Sequence, residues 1–212
     1  NTFMSPYGQS PLSLGADIVM HSTTKFIGGH SDIIGGALIT NNKQLAEKLY
    51  FIQKSGGAVP SPFDCWMLLR STKTLGLRFQ KQSDNALELA NRLNSHEKIG
   101  SVIYPGLSLH PQFNLATKQQ LNPNNQPIYG SMISIKLGSL AKRDNFLNKL
   151  ELFKLAESLG GVESLVCVPF EMTHGSVPTD MKIEMGLTED LVRLSVGIEH
   201  IDDLYFDLDQ SL

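Results

Sequence analysis

His21-Ser22-Thr23-Thr24-Lys25-Phe26-Ile27-Gly28-Gly29-His30-Ser31-Asp32 is the densest polar run in the chain. It stands directly behind Asp17–Met20, an apolar run that reads as a short buried strand. A second such strand, Ile33–Ile39, follows it with Gly35 and Gly36 near its start. Hydroxyls and a lysine at a strand end, followed by glycines, make a candidate anion site. If the backbone stays extended, Ser22 and Thr24 point the same way, because strand side chains alternate with a period of two. Both hydroxyls then donate to one phosphate, with Lys25 beside it. The order of glycine and lysine is not that of a Walker A loop. On local pattern alone, the plainer reading of the run is a polar loop with a solvated lysine.

Outward from this run the chain alternates helices and strands. Leu45, Leu49 and Ile52 are spaced four and then three apart, which predicts a helix over Lys43–Gln53 with one buried stripe. Ser61-Pro62-Phe63-Asp64 places Ser at the N-cap, Pro at the first helical position and an acid two residues later. A long helical pattern runs from there to Leu93, kinked near Gly76, and serves as a connector. Val102–Tyr104 is a strand closed by Pro105-Gly106. Residues 107–129 are loop with one short helix. Met132–Leu137, Leu165–Val168 and Leu191–Val196 are strands, and Lys142–Leu150 is a helix with Phe146, Leu147 and Leu150 on one side. A last helix carries Ile201, Leu204, Leu208 and Leu212, with Asp202 and Asp203 in its first turn. The interleaving argues an α/β fold. It divides into part of a first domain (1–60), connecting helices (61–95) and a second, complete α/β domain (96–212).

Composition narrows the function classes. Of 212 residues, 41% are hydrophobic and 18% charged, which is enough apolar material for a packed core and excludes a disordered chain. A net charge of −3 gives no electrostatic case for nucleic acid or anionic lipid. Two cysteines, Cys65 and Cys167, cannot build a disulfide framework and read as buried thiols of a cytoplasmic protein. No apolar run approaches about 18 residues, so no membrane-spanning helix is expected. His21, His30 and Asp32 lack metal-ligand spacing and read as packing residues; Thr173 and His174 are candidates for a site entrance. The chain opens at Asn1 without an initiator Met, directly in structured-looking sequence, and reads as a fragment.

Ser22-Thr23-Thr24-Lys25 with Gly28-Gly29-His30-Ser31-Asp32 resembles the lysine motif of the Cys/Met-metabolism pyridoxal-phosphate enzymes. Asn1-Thr2-Phe3, Ser5-Pro6-Tyr7, Leu14–Asp17, Ala156–Ser164, Met172-Thr173-His174 and Arg193–Glu199 resemble the same family in order and spacing. The likeness covers nearly the whole chain. It implies part of the fold-type I, aspartate-aminotransferase-like architecture: a truncated large domain followed by a smaller α/β domain. It implies pyridoxal 5'-phosphate bound covalently through Lys25, because the chemistry needs an amine that can be neutral and can move protons. Ser22 and Thr24 are then phosphate donors, unless they only cap a turn. Arg193 grips the substrate carboxylate through its planar fork, unless it is a structural ion pair with a core acid; Ser158 assists there. Glu157 meets the distal amine of the substrate, or is a structural acid.

Within the family, Ala58–Trp66 resembles the γ-lyase branch more than the γ-synthases. The implied reaction is γ-elimination of L-cystathionine to cysteine, 2-oxobutanoate and ammonia, with hydrogen sulfide release from cysteine as a further activity. γ-Replacement, joining cysteine to an O-acylhomoserine, is the alternative, and a non-catalytic fragment a third. The resemblance also implies a homotetramer with shared active sites acting on a small amino acid. It places the aspartate that meets the pyridine nitrogen immediately before Asn1, and the ring-stacking aromatic earlier still.

Overall fold

The computed structural model describes residues 1–212. A short helix, α1 (Ser5–Gly8), precedes a two-stranded antiparallel ribbon, β1 (Val19–Ser22) and β2 (Gly36–Ile39), with Val19 opposite Ile39 and Ser22 opposite Gly36. Both strands begin later than the apolar runs suggested, and they are not a buried pair. Met20 is 54% and Leu38 55% exposed, since nothing in the chain covers the ribbon's outer face.

Helix α2 (Lys43–Gly56) is capped by Asn42, whose side chain accepts from the Gln44 and Leu45 N–H groups, and ends at Gly57 with φ +71°. Its apolar stripe is present but largely unpartnered: Leu45 and Leu49 are half-buried and Ile52 is 65% exposed. Ser61 caps α3 (Pro62–Ser71) by accepting from Asp64 N–H at 3.1 Å. One tight turn, Thr72–Thr74, separates α3 from α4 (Leu75–Asn94). The break therefore falls just ahead of Gly76, whose missing side chain makes room for the Tyr7 ring.

The rest of the chain supplies β3 (Ser101–Ile103), α5 (Phe113–Gln119), β4 (Met132–Lys136), α6 (Leu140–Lys149), β5 (Lys154–Leu155), β6 (Leu165–Cys167), α7 (Thr179–Glu184), β7 (Leu191–Ser195) and α8 (Ile201–Ser211). The strands form one sheet in the order β3-β4-β7-β6-β5, antiparallel except for β5 beside β6. Ile133 and Ile135 of β4 and Val192 and Leu194 of β7 face a core built by Ala86, Leu89, Ala90 and Leu93 of α4, Phe146 of α6, and Leu204 and Leu208 of α8. Alternation puts Ser134, Arg193 and Ser195 on the other face. A slip of one residue in β7 would drive Arg193 into the core, so burial of its neighbours fixes the register that presents it.

A second, smaller core joins Met4, Phe26, Leu75, Phe79, Ile128 and Leu159. It fastens the turn after β1 to the start of α4 and to the loop after β5. No helix is long and apolar enough to cross a membrane.

Candidate active site

The motif does not stay extended after β1. Thr23–Ile27 coils into a wide helical turn closed by Gly28 N–H donating to Thr23 O at 2.8 Å, and Lys25 sits inside it with non-helical angles, φ −88° and ψ −129°. Wide turns of this kind recur at functional sites. The turn forms because Thr24 Oγ1 accepts from Gly35 N–H at 2.9 Å and lies 3.4 Å from Gly35 O, an alternative to strand pairing that threonine readily offers. Thr24 is thus engaged with the backbone at Gly35, while Ser22 remains at the strand end. The bond Ser22 makes runs from its N–H to Thr2 Oγ1 at 3.0 Å, leaving its half-buried hydroxyl free to donate.

Phe26 anchors the turn edge-on against Phe79, with ring centroids 5.0 Å apart. Lys25 Nζ, half-buried, donates to Ser158 Oγ at 3.3 Å and has no carboxylate partner. Ser158 belongs to the loop after β5, which approaches the turn closely. Gly160 has φ +79°, and a Cβ there would lie 2.8 Å from Phe26 N; Val162 N–H donates to Gly29 O at 3.0 Å, and Ser31 bonds Glu163. Only glycine fits the first of these positions.

Arg193 projects from the middle of β7, flanked by Ser134 and Cys167 on the adjacent strands. It does not point into an acid. Its Nη2 donates to the backbone carbonyl of Glu157 at 3.2 Å, and no carboxylate pairs with it, so its remaining N–H groups are available. The Glu157 side chain is exposed and outside any ion pair. Because Glu157 and Ser158 are consecutive, Lys25 and Arg193 converge on one short stretch. Cys167 beside Arg193 is a buried thiol whose pKa is pushed up by burial, which keeps it protonated and inert; Cys65 is only partly covered. His21 is buried beneath the turn, and burial lowers its pKa and keeps the ring neutral. His30 is exposed and bonds Gly28 O at 2.8 Å. Thr173 and His174 bond each other at 2.8 Å rather than Lys25 or Arg193.

Three buried polar side chains that the sequence reading passed over line one face of α4: Arg78, Gln82 and Asn85. Arg78 donates to Phe26 O at 2.8 Å and Ile27 O at 3.3 Å. Gln82 donates to Gly161 O at 2.6 Å, and Asn85 to Gly197 O at 3.1 Å and Glu199 O at 2.9 Å. Each grips the backbone of a stretch that shapes the site. Their spacing of four and three along an otherwise apolar face was the available signal.

Comparison with known proteins bears on what this arrangement belongs to. Residues 1–212 match the sequence model described as Cys/Met metabolism PLP-dependent enzyme. The chain belongs to this family. It is 52% identical over 213 residues to a cystathionine gamma-lyase of Dictyostelium discoideum, covering all of this chain and 54% of that protein. It is 49% identical over 214 residues to a cystathionine gamma-synthase of Mycobacterium tuberculosis, covering all of this chain and 53% of that one. A crystal structure of cystathionine gamma-lyase from Lactobacillus plantarum complexed with L-serine superposes with a TM-score of 0.94 at 41% identity, over the whole chain and 54% of its counterpart. The chain thus spans about half the length of the curated relatives it matches. Its architecture is part of the fold-type I pyridoxal-phosphate enzyme fold, and its family acts in the metabolism of sulfur amino acids.

The residues of this Cys/Met-metabolism chain fit the cofactor that the family uses. Covalent attachment needs an amine free of a carboxylate partner, and Lys25 Nζ is offered only a neutral hydroxyl. A phosphate needs donors, and Ser22 has a free hydroxyl. A substrate carboxylate needs a fork, and Arg193 uses one N–H on a carbonyl and keeps the others.

Proposed function

We propose that this chain carries the lysine-bearing part of an enzyme that cleaves L-cystathionine at its γ carbon, yielding with water cysteine, 2-oxobutanoate and ammonia. The observation that carries the reading is the convergence of Lys25 on Ser158 at 3.3 Å and of Arg193 on the adjoining Glu157 carbonyl at 3.2 Å. An amine and a guanidinium fork thus meet one stretch of backbone, which supports the reading. Pyridoxal phosphate, when bound, supplies an electron sink for the bonds broken at the substrate's carbons. Lys25 holds it through its amine and then takes and returns protons at those carbons. Arginine could not do this, since it stays protonated. Ser22 donates to the phosphate. Thr24 can join it by giving up its 3.4 Å contact with Gly35 O while still accepting from Gly35 N–H.

Arg193 holds the substrate's α-carboxylate with two parallel N–H groups and so fixes rotation of the substrate. Ser158 steadies Lys25 and lies where that carboxylate arrives. Glu157, exposed beside this point, meets the distal ammonium of a substrate charged at both ends. The same groups serve γ-replacement, and a γ-synthase stands among the relatives at 49% identity. Two assays on the protein separate the readings: 2-oxobutanoate from cystathionine, and cystathionine from O-acylhomoserine plus cysteine.

The lysine assignment is tested by Lys25→Ala. The variant is expected to lose the visible absorbance of bound cofactor and essentially all turnover. A borohydride-reducible link that survives the substitution refutes it. Assembly as a homotetramer with shared sites is part of the same proposal. The exposed apolar surface of the ribbon and α2, including Met20, Leu38, Tyr50 and Phe51, supports only the coarser point that further polypeptide packs on this chain. An active, monodisperse monomer in light scattering counts against it.

A further inference from the structure

Two arginines of the chain are almost fully buried, Arg78 at 5% exposure and Arg143 at 4%. Arg143 is ion-paired with Asp144 and Glu171. Arg78 has no carboxylate at all. Its partners are neutral oxygens: Phe26 O at 2.8 Å, Ile27 O at 3.3 Å, Ser71 O at 3.1 Å and Thr74 Oγ1 at 3.1 Å. Burying a charge without a counter-charge is costly, and a neutral side chain would fill the space at lower cost. A fork of five N–H donors does something a neutral residue cannot: it holds several carbonyls in fixed relative positions.

The acceptors fall into two groups. Phe26 O and Ile27 O end the turn that carries Lys25, where a positive charge complements the aligned peptide dipoles. Ser71 O and Thr74 Oγ1 belong to the break between α3 and α4. The turn also makes room for the guanidinium. Gly29 has φ +69°, and a Cβ there would overlap Arg78 Nη1, so the second glycine of the motif is required by the arginine as well as by its own backbone. Lys25 itself departs from helical angles within the turn. Its direction therefore depends on whatever pins the residues after it.

We infer that Arg78 is a positioning residue for Lys25: by locking the carbonyls of Phe26 and Ile27 to the α3–α4 break, it sets the direction in which the lysine side chain reaches Ser158. The inference rests on the reading of Lys25 as the cofactor lysine. Burial also lowers the Arg78 pKa, yet the guanidinium stays charged at any physiological pH, so its hold on the turn is constant.

The test uses the holoenzyme with Arg78→Lys and Arg78→Met, and Lys25→Ala as a separate control. Readouts are hydrogen exchange of the 23–29 peptide against the β4 and β7 peptides, the pH midpoint of the cofactor's visible band, borohydride trapping at Lys25, and kcat against KM. In Arg78→Lys the cofactor link should persist while exchange in 23–29 rises about tenfold or more and β4 and β7 keep their protection. The pH midpoint should move by about half a unit or more, and kcat should fall about tenfold with KM little changed. Wild-type exchange and a wild-type midpoint in Arg78→Lys overturn the inference. So does equal loss of protection across 23–29, β4 and β7 in both variants, which would make Arg78 a residue of general stability. A reducible link surviving in Lys25→Ala refutes the assignment of the lysine, and is read without any Arg78 variant.

Discussion

Replacing Arg193 by lysine separates affinity for a carboxylate from attachment of the cofactor. Arg193 stands on the central β7, with backbone held by β4 at Ser134 and β6 at Cys167, so its Cα cannot drift. Of its five N–H donors, one is used on Glu157 O at 3.2 Å, and two can form a parallel pair with a carboxylate. Lysine keeps the charge but donates from a single nitrogen and cannot form the parallel pair that the fork supplied. The lost charge-assisted bond is worth about 1.5–3 kcal/mol. Added orientational freedom raises the loss in kcat/KM to about 2–4 kcal/mol, or roughly 30- to 1000-fold. The fold itself forfeits only the single guanidinium bond to Glu157 O, about 1.5 kcal/mol. The assay is steady-state turnover of cystathionine beside the visible spectrum and the thermal melt of the variant. Turnover should collapse while spectrum and melt hardly move, and amine competitors lacking a carboxylate should bind both proteins alike. If Arg193→Lys sheds its cofactor or unfolds, the arginine is structural and the carboxylate site lies elsewhere.

Glu157→Val should weaken turnover of cystathionine more than that of methionine or homocysteine, by about 1–3 kcal/mol, since only cystathionine offers a distal ammonium; equal losses would make Glu157 structural. Gly160→Ala must hold an L-residue at φ +79° with its Cβ 2.8 Å from Phe26 N. It should lower stability by about 2 kcal/mol or more and loosen the cofactor, as read by melting and by cofactor release; a wild-type melt would mean the loop can retreat from the turn. Asp207→Ala removes the buried carboxylate that accepts from the Glu151, Leu152 and Phe153 N–H groups at 2.8, 3.0 and 2.9 Å. Its cost should be about 3 kcal/mol or more in denaturant melts, with turnover per folded molecule retained.

Where local chemistry and tertiary packing agree, the sequence is readable. Ser61 and Pro62 start α3 where the capping pattern says, and the alternation in Met132–Lys136 and Leu191–Ser195 yields paired strands with Arg193 outward. The misreadings have physical causes. An extended backbone would put Ser22 and Thr24 on one side, but Thr24 bonds the backbone of Gly35, a contact eleven residues away that no local pattern encodes. The stripe on α2 is a true helical period, yet periodicity cannot say whether anything packs on it. α1, β5 and α7 are too short to show a period. For Arg193 the alternative of an ion pair with a core acid gives way to a bond to a carbonyl, because the neighbouring loop brings backbone there.

Helix α4 resolves why the site could not be read from the lysine motif alone. It offers Ala86, Leu89, Ala90 and Leu93 to the sheet and Arg78, Gln82 and Asn85 to loops. Those loops lack regular hydrogen-bond partners of their own, so buried carbonyls at Phe26, Gly161 and Gly197 would be orphaned without side-chain donors. The helix meets that need with three donors at helical spacing, and thereby refers the lysine turn, the Ser158–Glu163 loop and the end of β7 to one rigid axis. Lys25 lies more than a hundred residues from Ser158 and Arg193 in the chain, yet all three share this reference. The relative placement of the three is consequently a property of α4, and substitutions along its polar face should disturb the geometry of all three without touching any of them.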